Sequence, residues 1–247
     1  MKTKIRLDQL LCEKGFCQSR SRGRDLILQN LVKVNGQLQT KPSAATSSDA
    51  QIEILTTENY VSRGAQKLQH AIKKFRINIT NIVAADIGAS TGGFTDYLLQ
   101  NGAKKVYAID VGHSQLAEKL TQNHQVINLE STDIRTLKTL PEKVSLIVAD
   151  LSYISLRLVL PHLSRFTENA ETPIIVLFKP QFEAGPKLTP KDGVIKDPQI
   201  IETLLTEFQT WCTENHFHIA QKTPSPITGK SGNQEYLLLL FTDNREI

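Results

Sequence analysis

Ile82-Val83-Ala84-Ala85-Asp86-Ile87-Gly88-Ala89-Ser90-Thr91-Gly92-Gly93-Phe94 opens as an apolar run of strand length and closes in glycines. Glycines directly after a strand let the chain turn sharply and let a ligand approach the backbone. A helix beginning near Gly92 would offer its unpaired N–H groups to that ligand. No Lys-Ser or Lys-Thr follows the glycines, which excludes the phosphate cradle of nucleoside triphosphatases, and the spacing differs from G-x-G-x-x-G. Asp86, Gly88 and Gly92-Gly93 in this order suit S-adenosyl-L-methionine, whose amino-acid part carries an ammonium that an acid such as Asp86 can meet. Taken alone, the loop is equally well read as a generic tight turn.

Working outward, short apolar runs alternate with longer segments. Strands are expected at 82–87, 105–109, 125–129, 145–149, 174–178, 217–221 and 236–241. Helix-length segments separate the first five, as in repeated βαβ units around a parallel sheet. The last two flank a Pro/Gly-rich loop from Thr223 to Asn233 with no room for a helix, so they must form an antiparallel pair. That ending distinguishes a methyltransferase-type α/β sheet of seven strands from an ordinary dinucleotide-binding one.

Acids punctuate the strand ends. Asp86 lies in the last residues of the first, and Asp110, Asp133 and Asp150 follow the second, third and fourth. At the carboxyl edge of such a sheet Asp110 is placed to bond both ribose hydroxyls of an adenosine cofactor. Asp133 is placed to accept from the adenine amino group. The expected cofactor set is Asp86, Gly88, Ala89, Ser90, Thr91, Gly92, Gly93, Phe94, Asp110, Asp133 and Asp150. Any one strand-ending Asp is as readily a helix cap; the set of four is the stronger signal.

The N-terminal part reads differently. Leu7, Leu10 and Leu11 share a helical face that Gly15 can end, and Ser19 can cap a second helix carrying Leu26, Ile27 and Leu31. Val32-Lys33-Val34 then meets the turn signal Asn35-Gly36, and Ile52-Glu53-Ile54 supplies a partner strand. Lys41 to Ser48 is expected as the loop between the strands, and a domain boundary is expected near Thr57-Glu58-Asn59, dividing residues 1–58 from 59–247. Residues 1–41 hold nine Lys or Arg against three Asp or Glu, whereas the rest of the 247-residue chain holds 20 against 22. The whole positive excess is therefore local, the footprint of a polyanion partner, although a solvated basic surface has the same composition.

Composition narrows the classes. Apolar residues make up 40% and charged residues 22%, a globular balance that excludes wholesale disorder, collagen and coiled coil. No apolar run approaches the roughly 20 residues that span a bilayer, and the N-terminus has no signal-like stretch. Three cysteines (Cys12, Cys17, Cys212) are too few for an all-cysteine zinc site, and the histidines are scattered, so no metal and a cytoplasmic location are expected.

Arg6-Leu7-Asp8-Gln9-Leu10-Leu11, Gly15-Phe16, Ser19-Arg20-Ser21-Arg22, Leu26-Ile27, Val32 to Gly36 and Lys41-Pro42 resemble the S4-like RNA-binding domain. The resemblance implies an α+β module that presents basic side chains to structured RNA, here Arg6, Arg20, Arg22, Arg24 and Lys33, with Arg63 beyond it. Gly23 stands where that family often has Ala, at a small cost in helix stability, and Asn30 where it often has Gly. Tyr60 to Leu68, Asp86 to Asp96, Asp150-Leu151-Ser152-Tyr153-Ile154-Ser155-Leu156, Lys179-Pro180-Gln181-Phe182-Glu183, Ser225-Pro226-Ile227, Gly229 and Gly232 to Glu235 resemble the TlyA-type (haemolysin-A-like) RNA 2′-O-methyltransferases. His113-Ser114 and Asp133 depart from that family's common Tyr-Gly and Asn. The wider FtsJ-type family carries a Lys-Asp-Lys-Glu tetrad, which falls on Lys67, Asp150, Lys179 and Glu235. Its implied substrate is a cytidine ribose of 16S or 23S ribosomal RNA, in free or subunit form.

The tetrad also makes chemical sense by itself. A ribose hydroxyl is a poor nucleophile, whereas a sulfonium methyl is already activated; the enzyme must align them and manage one proton. A lysine serves as base only if its pKa falls from about 10.4 towards neutrality. The expected roles are Lys179 as base or hydroxyl activator, Asp150 as its orienting partner, Lys67 on an adjacent phosphate or ribose, and Glu235 holding the network. A surface lysine is the commoner reading of any Lys; the Phe94, Tyr153 and Phe182 rings read either as stacking faces for RNA bases or as core packing, the latter the commoner. Three further functions compete: a non-catalytic ribosome-assembly factor, a membrane-damaging toxin (opposed by the lack of a spanning or basic amphipathic stretch), and a dinucleotide oxidoreductase.

Overall fold

The computed structural model describes residues 4–17, 19–28, 30–54 and 60–243. The side chains of Arg22, Asp25, Pro186 and Lys187 lie outside the description, as does the expected boundary at Thr57 to Asn59. The chain divides into two compact units, Met1–Asn59 and Tyr60–Ile247.

In the first unit β1 (Lys4–Arg6) runs into α1 (Leu7–Glu13) and α2 (Arg20–Leu28). The core is Leu7, Leu11, Leu26, Ile27 and Val32. The helices touch at Gly23, where a Cβ would stand 2.7 Å from the Asp8 carbonyl oxygen. Glycine is therefore a packing requirement here, beyond the small propensity cost expected from sequence. β2 (Val32–Val34) and β3 (Gln37–Leu38) form a hairpin across Asn35-Gly36, whose φ values of 50° and 80° match a two-residue turn with both central residues left-handed. Next come β4 (Ala45–Ser47) and β5 (Ile52–Ile54), the latter pairing antiparallel with β2. β4 lies inside the segment expected to be loop; it pairs with β1 as an antiparallel edge ribbon too short to show alternation. Asn30 adopts φ 59°, a left-handed backbone that asparagine tolerates in place of glycine.

The second unit begins with α3 (Gly64–Phe75), β6 (Val83–Ile87), α4 (Gly93–Gln100), β7 (Lys105–Ile109), α5 (Glu118–Thr121), β8 (Val126–Leu129) and β9 (Leu146–Ala149). It continues through β10 (Ile174–Phe178), α6 (Pro180–Glu183), α7 (Gly185–Leu188), α8 (Pro198–Glu214), β11 (Phe217–Pro224) and β12 (Tyr236–Thr242). The sheet order is β11-β12-β10-β9-β6-β7-β8. The five strands from β10 to β8 are parallel, and β12 inserts antiparallel between β10 and β11. Both faces are covered, so β9 and β10 are buried along their whole length and read as continuous apolar runs. One face carries α8 side chains such as Leu204, Leu205 and Phe208, and the other those of α3 and α4, such as Leu68, Phe75 and Leu98.

Between β9 and β10 three single 3₁₀ turns, Leu156–Leu158, Leu160–His162 and Ser164–Phe166, replace the expected helix. Pro161 lacks an N–H and cannot sit inside a regular helix, yet Leu156, Val159, Leu160, Leu163 and Phe166 still fill the core. Because β7 and β9 leave β6 on opposite sides, the order switches between β6 and β9. In open α/β sheets the crevice beyond the strand ends at such a switch binds ligands.

Candidate active site

The loop after β6 forms a cradle at that switch. Gly88 and Gly92 have φ of 79° and 90°, and Ser90, not a glycine, is also left-handed at 49°. A Cβ on Gly88 would stand 2.8 Å from the Asp150 carbonyl oxygen, so glycine lets the β6 loop close against the β9 loop. A Cβ on Gly92 would meet Leu120 at 2.2 Å. The Asp110 carboxylate accepts from the Ser90 N–H at 2.8 Å and the Gly112 N–H at 2.7 Å, pinning this loop to the next. Phe94 is buried with the α3–α4 core, so its ring packs there and only its backbone belongs to the cradle.

Asp86 is 1% exposed. Its Oδ2 accepts from the Thr95 N–H at 2.9 Å and the Thr95 hydroxyl at 2.7 Å, whereas its buried Oδ1 has no hydrogen-bond partner. Burial pushes the carboxyl up to about 7, against the two Thr95 bonds, with Asp150 and Asp110 adding repulsion. An orphaned acceptor beside a glycine cradle fits a cationic, polar ligand such as the amino-acid part of S-adenosyl-L-methionine. Asp133 is held by Arg135, 2.6 Å from its Nη2, and these contacts keep its carboxyl below the usual range. Ala89 is buried, and Thr91 and Ser90 are exposed at the cradle's rim.

The four tetrad residues come together. Lys67 lies on α3 beside the buried stripe of Ala65, Leu68, Ala71 and Ile72, and is itself 6% exposed. Its Nζ is 2.6 Å from Glu235 Oε2 and 3.9 Å from Asp150 Oδ2. Lys179 ends the buried strand β10; Pro180 forces it into an extended backbone and starts α6, which turns the side chain out of the sheet. Its Nζ is 2.6 Å from Asp150 Oδ1 and donates to Ser152 Oγ at 2.8 Å. The result is an alternating chain: Glu235, Lys67, Asp150, Lys179, Ser152. Glu235 is 2% exposed, and Gly229 makes room for it, because a Cβ there would stand 2.5 Å from Glu235 Oε1.

Further side chains outside the tetrad lie beside it. Ser152 was visible only as part of a motif. Tyr153, for which core packing was the commoner reading and base stacking the other, has a left-handed backbone at φ 65° and is 92% exposed, its ring 5.2 Å from that of Phe182. Phe182 in turn lies under the Lys179 Nζ at 5.7 Å. Asn233 is 1% exposed; its amide donates to Gly193 O at 2.8 Å and accepts from the Ile195 N–H at 2.9 Å, fixing the loop that leads to Glu235. The Asn in Gly232-Asn233-Gln234-Glu235 was the available signal.

In the N-terminal unit Arg6 and Arg20 converge on buried Asp8, at 2.8 and 3.4 Å. Those bonds, Arg6 foremost, hold the Asp8 carboxyl below the usual range. Arg24 is exposed, and Lys33 lies 3.6 Å from Glu53. Arg22 falls outside the described side chains, and Arg63 immediately precedes α3. Among the described residues no group of His, Cys, Asp or Glu side chains is arranged to hold a metal ion, and no helix is long and apolar enough to cross a membrane.

Residues 60–241 match the FtsJ-like methyltransferase family and residues 5–49 the S4 domain. The chain is 40% identical over 236 residues to Hemolysin A of Brachyspira hyodysenteriae, covering 94% of this chain and 98% of the relative. It is 38% identical over 246 residues to the 16S/23S rRNA (cytidine-2′-O)-methyltransferase TlyA of Mycobacterium tuberculosis, covering 98% and 91%. A solved structure of a candidate hemolysin from Streptococcus thermophilus superposes with a TM-score of 0.77 at 34% identity, over 99% of this chain and 90% of that one. A glycine cradle with an orphaned acid, a two-lysine, two-carboxylate array beside it and a basic N-terminal module thus coincide with these matches: the chain belongs to the FtsJ-like methyltransferase family, joined to an S4 domain.

Proposed function

We propose that this protein transfers a methyl group from S-adenosyl-L-methionine to a ribose 2′-hydroxyl of ribosomal RNA, on a cytidine of 16S or 23S RNA, in the cytoplasm where ribosomes are assembled. The observation that carries the reading is the Glu235–Lys67–Asp150–Lys179–Ser152 chain abutting the glycine cradle through the Gly88–Asp150 contact. The M. tuberculosis relative, named an rRNA methyltransferase, and a Bacillus subtilis relative, named a candidate one, support it.

Asp86 with its free oxygen, the backbone of Gly88 to Phe94, Asp110 and Asp133 would hold the cofactor, and its sulfonium would supply an electrophilic methyl group. Lys179 takes up or shares the proton of the attacking hydroxyl, and an ammonium formed there is stabilised by Asp150 Oδ1 at 2.6 Å. Ser152 accepts a second Lys179 bond and so restricts where the nitrogen can point. Lys67, anchored by Glu235, offers positive charge to an RNA phosphate or ribose oxygen. The Tyr153 ring, exposed and backed by Phe182, offers a stacking face to the base of the target nucleotide. In the N-terminal unit, Arg6, Arg20, Arg24 and Lys33, with Arg22, supply phosphate contacts that fix position without reading sequence.

The test is to incubate the full chain with labelled S-adenosyl-L-methionine and purified small and large ribosomal subunits, then digest the RNA to nucleosides. The expected product is labelled 2′-O-methylcytidine. Tight RNA binding with no label in any subunit or naked RNA would instead favour the assembly-factor reading.

A further inference from the structure

In the segment Lys179 to Glu183 the last side chain has no part in the scheme above. Glu183 ends α6, and its carboxylate is only 2% exposed. Both oxygens are committed: Oε2 accepts from the Ser155 hydroxyl at 2.7 Å, and Oε1 accepts from the Leu156 N–H at 2.7 Å. Arg157 Nε lies 3.9 Å from Oε2, and Ser155 Oγ also accepts from the Arg157 N–H at 3.1 Å, capping the first 3₁₀ turn. Two converging donors call for an acceptor-only group, and an ionised carboxylate is the side chain that provides one.

These bonds join the loop after β9 to the turn after β10. The same two segments meet again upstream, through Asp150 and Ser152 on Lys179 and through Tyr153 on Phe182. Tyr153 therefore sits between two sets of ties. Its left-handed backbone and water-exposed ring are a conformation that an unrestrained loop would abandon, since nothing about the ring's own burial rewards it.

We propose that Glu183 is a positioning residue for methyl transfer: by anchoring Ser155 and Leu156 it holds the Asp150-to-Ser155 loop against α6, and so keeps the Lys179 amine and the Tyr153 ring in mutual register. This deepens the RNA-methyltransferase reading and rests on it. Glu183 touches neither cradle nor tetrad directly, so its removal should act on the chemical step and spare cofactor binding.

The experiment is single-turnover methylation of ribosomal subunits at saturating labelled S-adenosyl-L-methionine, with cofactor affinity measured by calorimetry on the same full-length preparations. Glu183→Ala should lower the maximal rate about 30- to 100-fold, as a misplacement of about 1 Å does, while the cofactor dissociation constant stays within about twofold of wild type. Glu183→Gln keeps one acceptor and should recover most of the rate. On a Tyr153→Ala background the same Glu183→Ala change should cost a smaller factor, because one of the two groups it positions is gone. Ser155→Ala, which removes the tie to Glu183 and the cap on the Arg157 N–H with little change in packing, serves if Glu183→Ala does not fold, and should slow the rate in the same selective way. A wild-type rate in Glu183→Ala or Ser155→Ala, or a parallel loss of rate and cofactor affinity, overturns the proposal while leaving the methyltransferase reading intact. A wild-type protein that methylates no RNA overturns that reading, and this proposal with it.

Discussion

The Lys67–Glu235 pair can separate what the network contributes to stability from what it contributes to chemistry. Both side chains are nearly inaccessible, 7% and 3% exposed, with nitrogen and oxygen 2.6 Å apart. Glu235→Ala would leave the Lys67 ammonium buried, with Asp150 Oδ2 at 3.9 Å as its remaining counter-charge, and that carboxylate is already engaged by Lys179. Stranding one partner of a buried pair costs about 3–5 kcal/mol, and the residual Asp150 contact places this case near the lower end. At about 2–4 °C per kcal/mol for a domain of this size, the transition should fall by about 6–12 °C. Replacing both partners, as Lys67→Met with Glu235→Met, removes the stranded charge and should restore most of the stability without restoring methyl transfer. Thermal and urea unfolding of the three proteins, beside the subunit methylation assay, check this. A Glu235→Ala protein within about 1 kcal/mol of wild type, or a double variant as unstable as the single one, would refute the reasoning.

Other outcomes follow from the same geometry. Because burial raises Asp86 from 3.8 to about 7, the folded state binds more protons between those values, so stability should decline as pH rises from about 4 to 7. Asp86→Asn should flatten that decline in pH-dependent unfolding of the cofactor-free protein and weaken cofactor binding; parallel wild-type and variant curves would count against it. Gly88→Ala places a Cβ 2.8 Å from a backbone oxygen at a left-handed residue, and should lower stability by about 1–3 kcal/mol and weaken cofactor affinity at least tenfold by calorimetry. Arg24→Ala should weaken RNA binding equally across sequences and reduce the slope of log K against log salt by about one, read from filter binding at several salt concentrations.

Much of the methyltransferase-type architecture was legible because β9 and β10 are buried on both faces and therefore spell continuous apolar runs, and because the loop before β12 is too rich in Pro and Gly for a helix. The tetrad positions came through the family resemblance, with Lys67 on α3 and the other three beside strand ends. What escaped notice depends on three-dimensional pairing. Ala45–Ser47 pairs with Lys4–Arg6 across some 40 residues, and neither piece is long enough to alternate. The spacing of Leu156, Val159, Leu160 and Leu163 is helical, yet Pro161 converts it into 3₁₀ turns. Nothing in the local sequence distinguishes Tyr153 in water from a tyrosine in the core, nor Glu183, which is buried only because a loop nearly 30 residues away supplies its donors.

The central claim is that the Lys179 amine, held by Asp150 and Ser152, manages the proton of the attacking hydroxyl. Single-turnover methylation of ribosomal subunits by Lys179→Ala, at saturating cofactor and with cofactor affinity verified, tests it directly. The account predicts a rate lower by about 10²- to 10⁴-fold with binding of both substrates retained; a variant that methylates ribosomal RNA at the wild-type rate would contradict it.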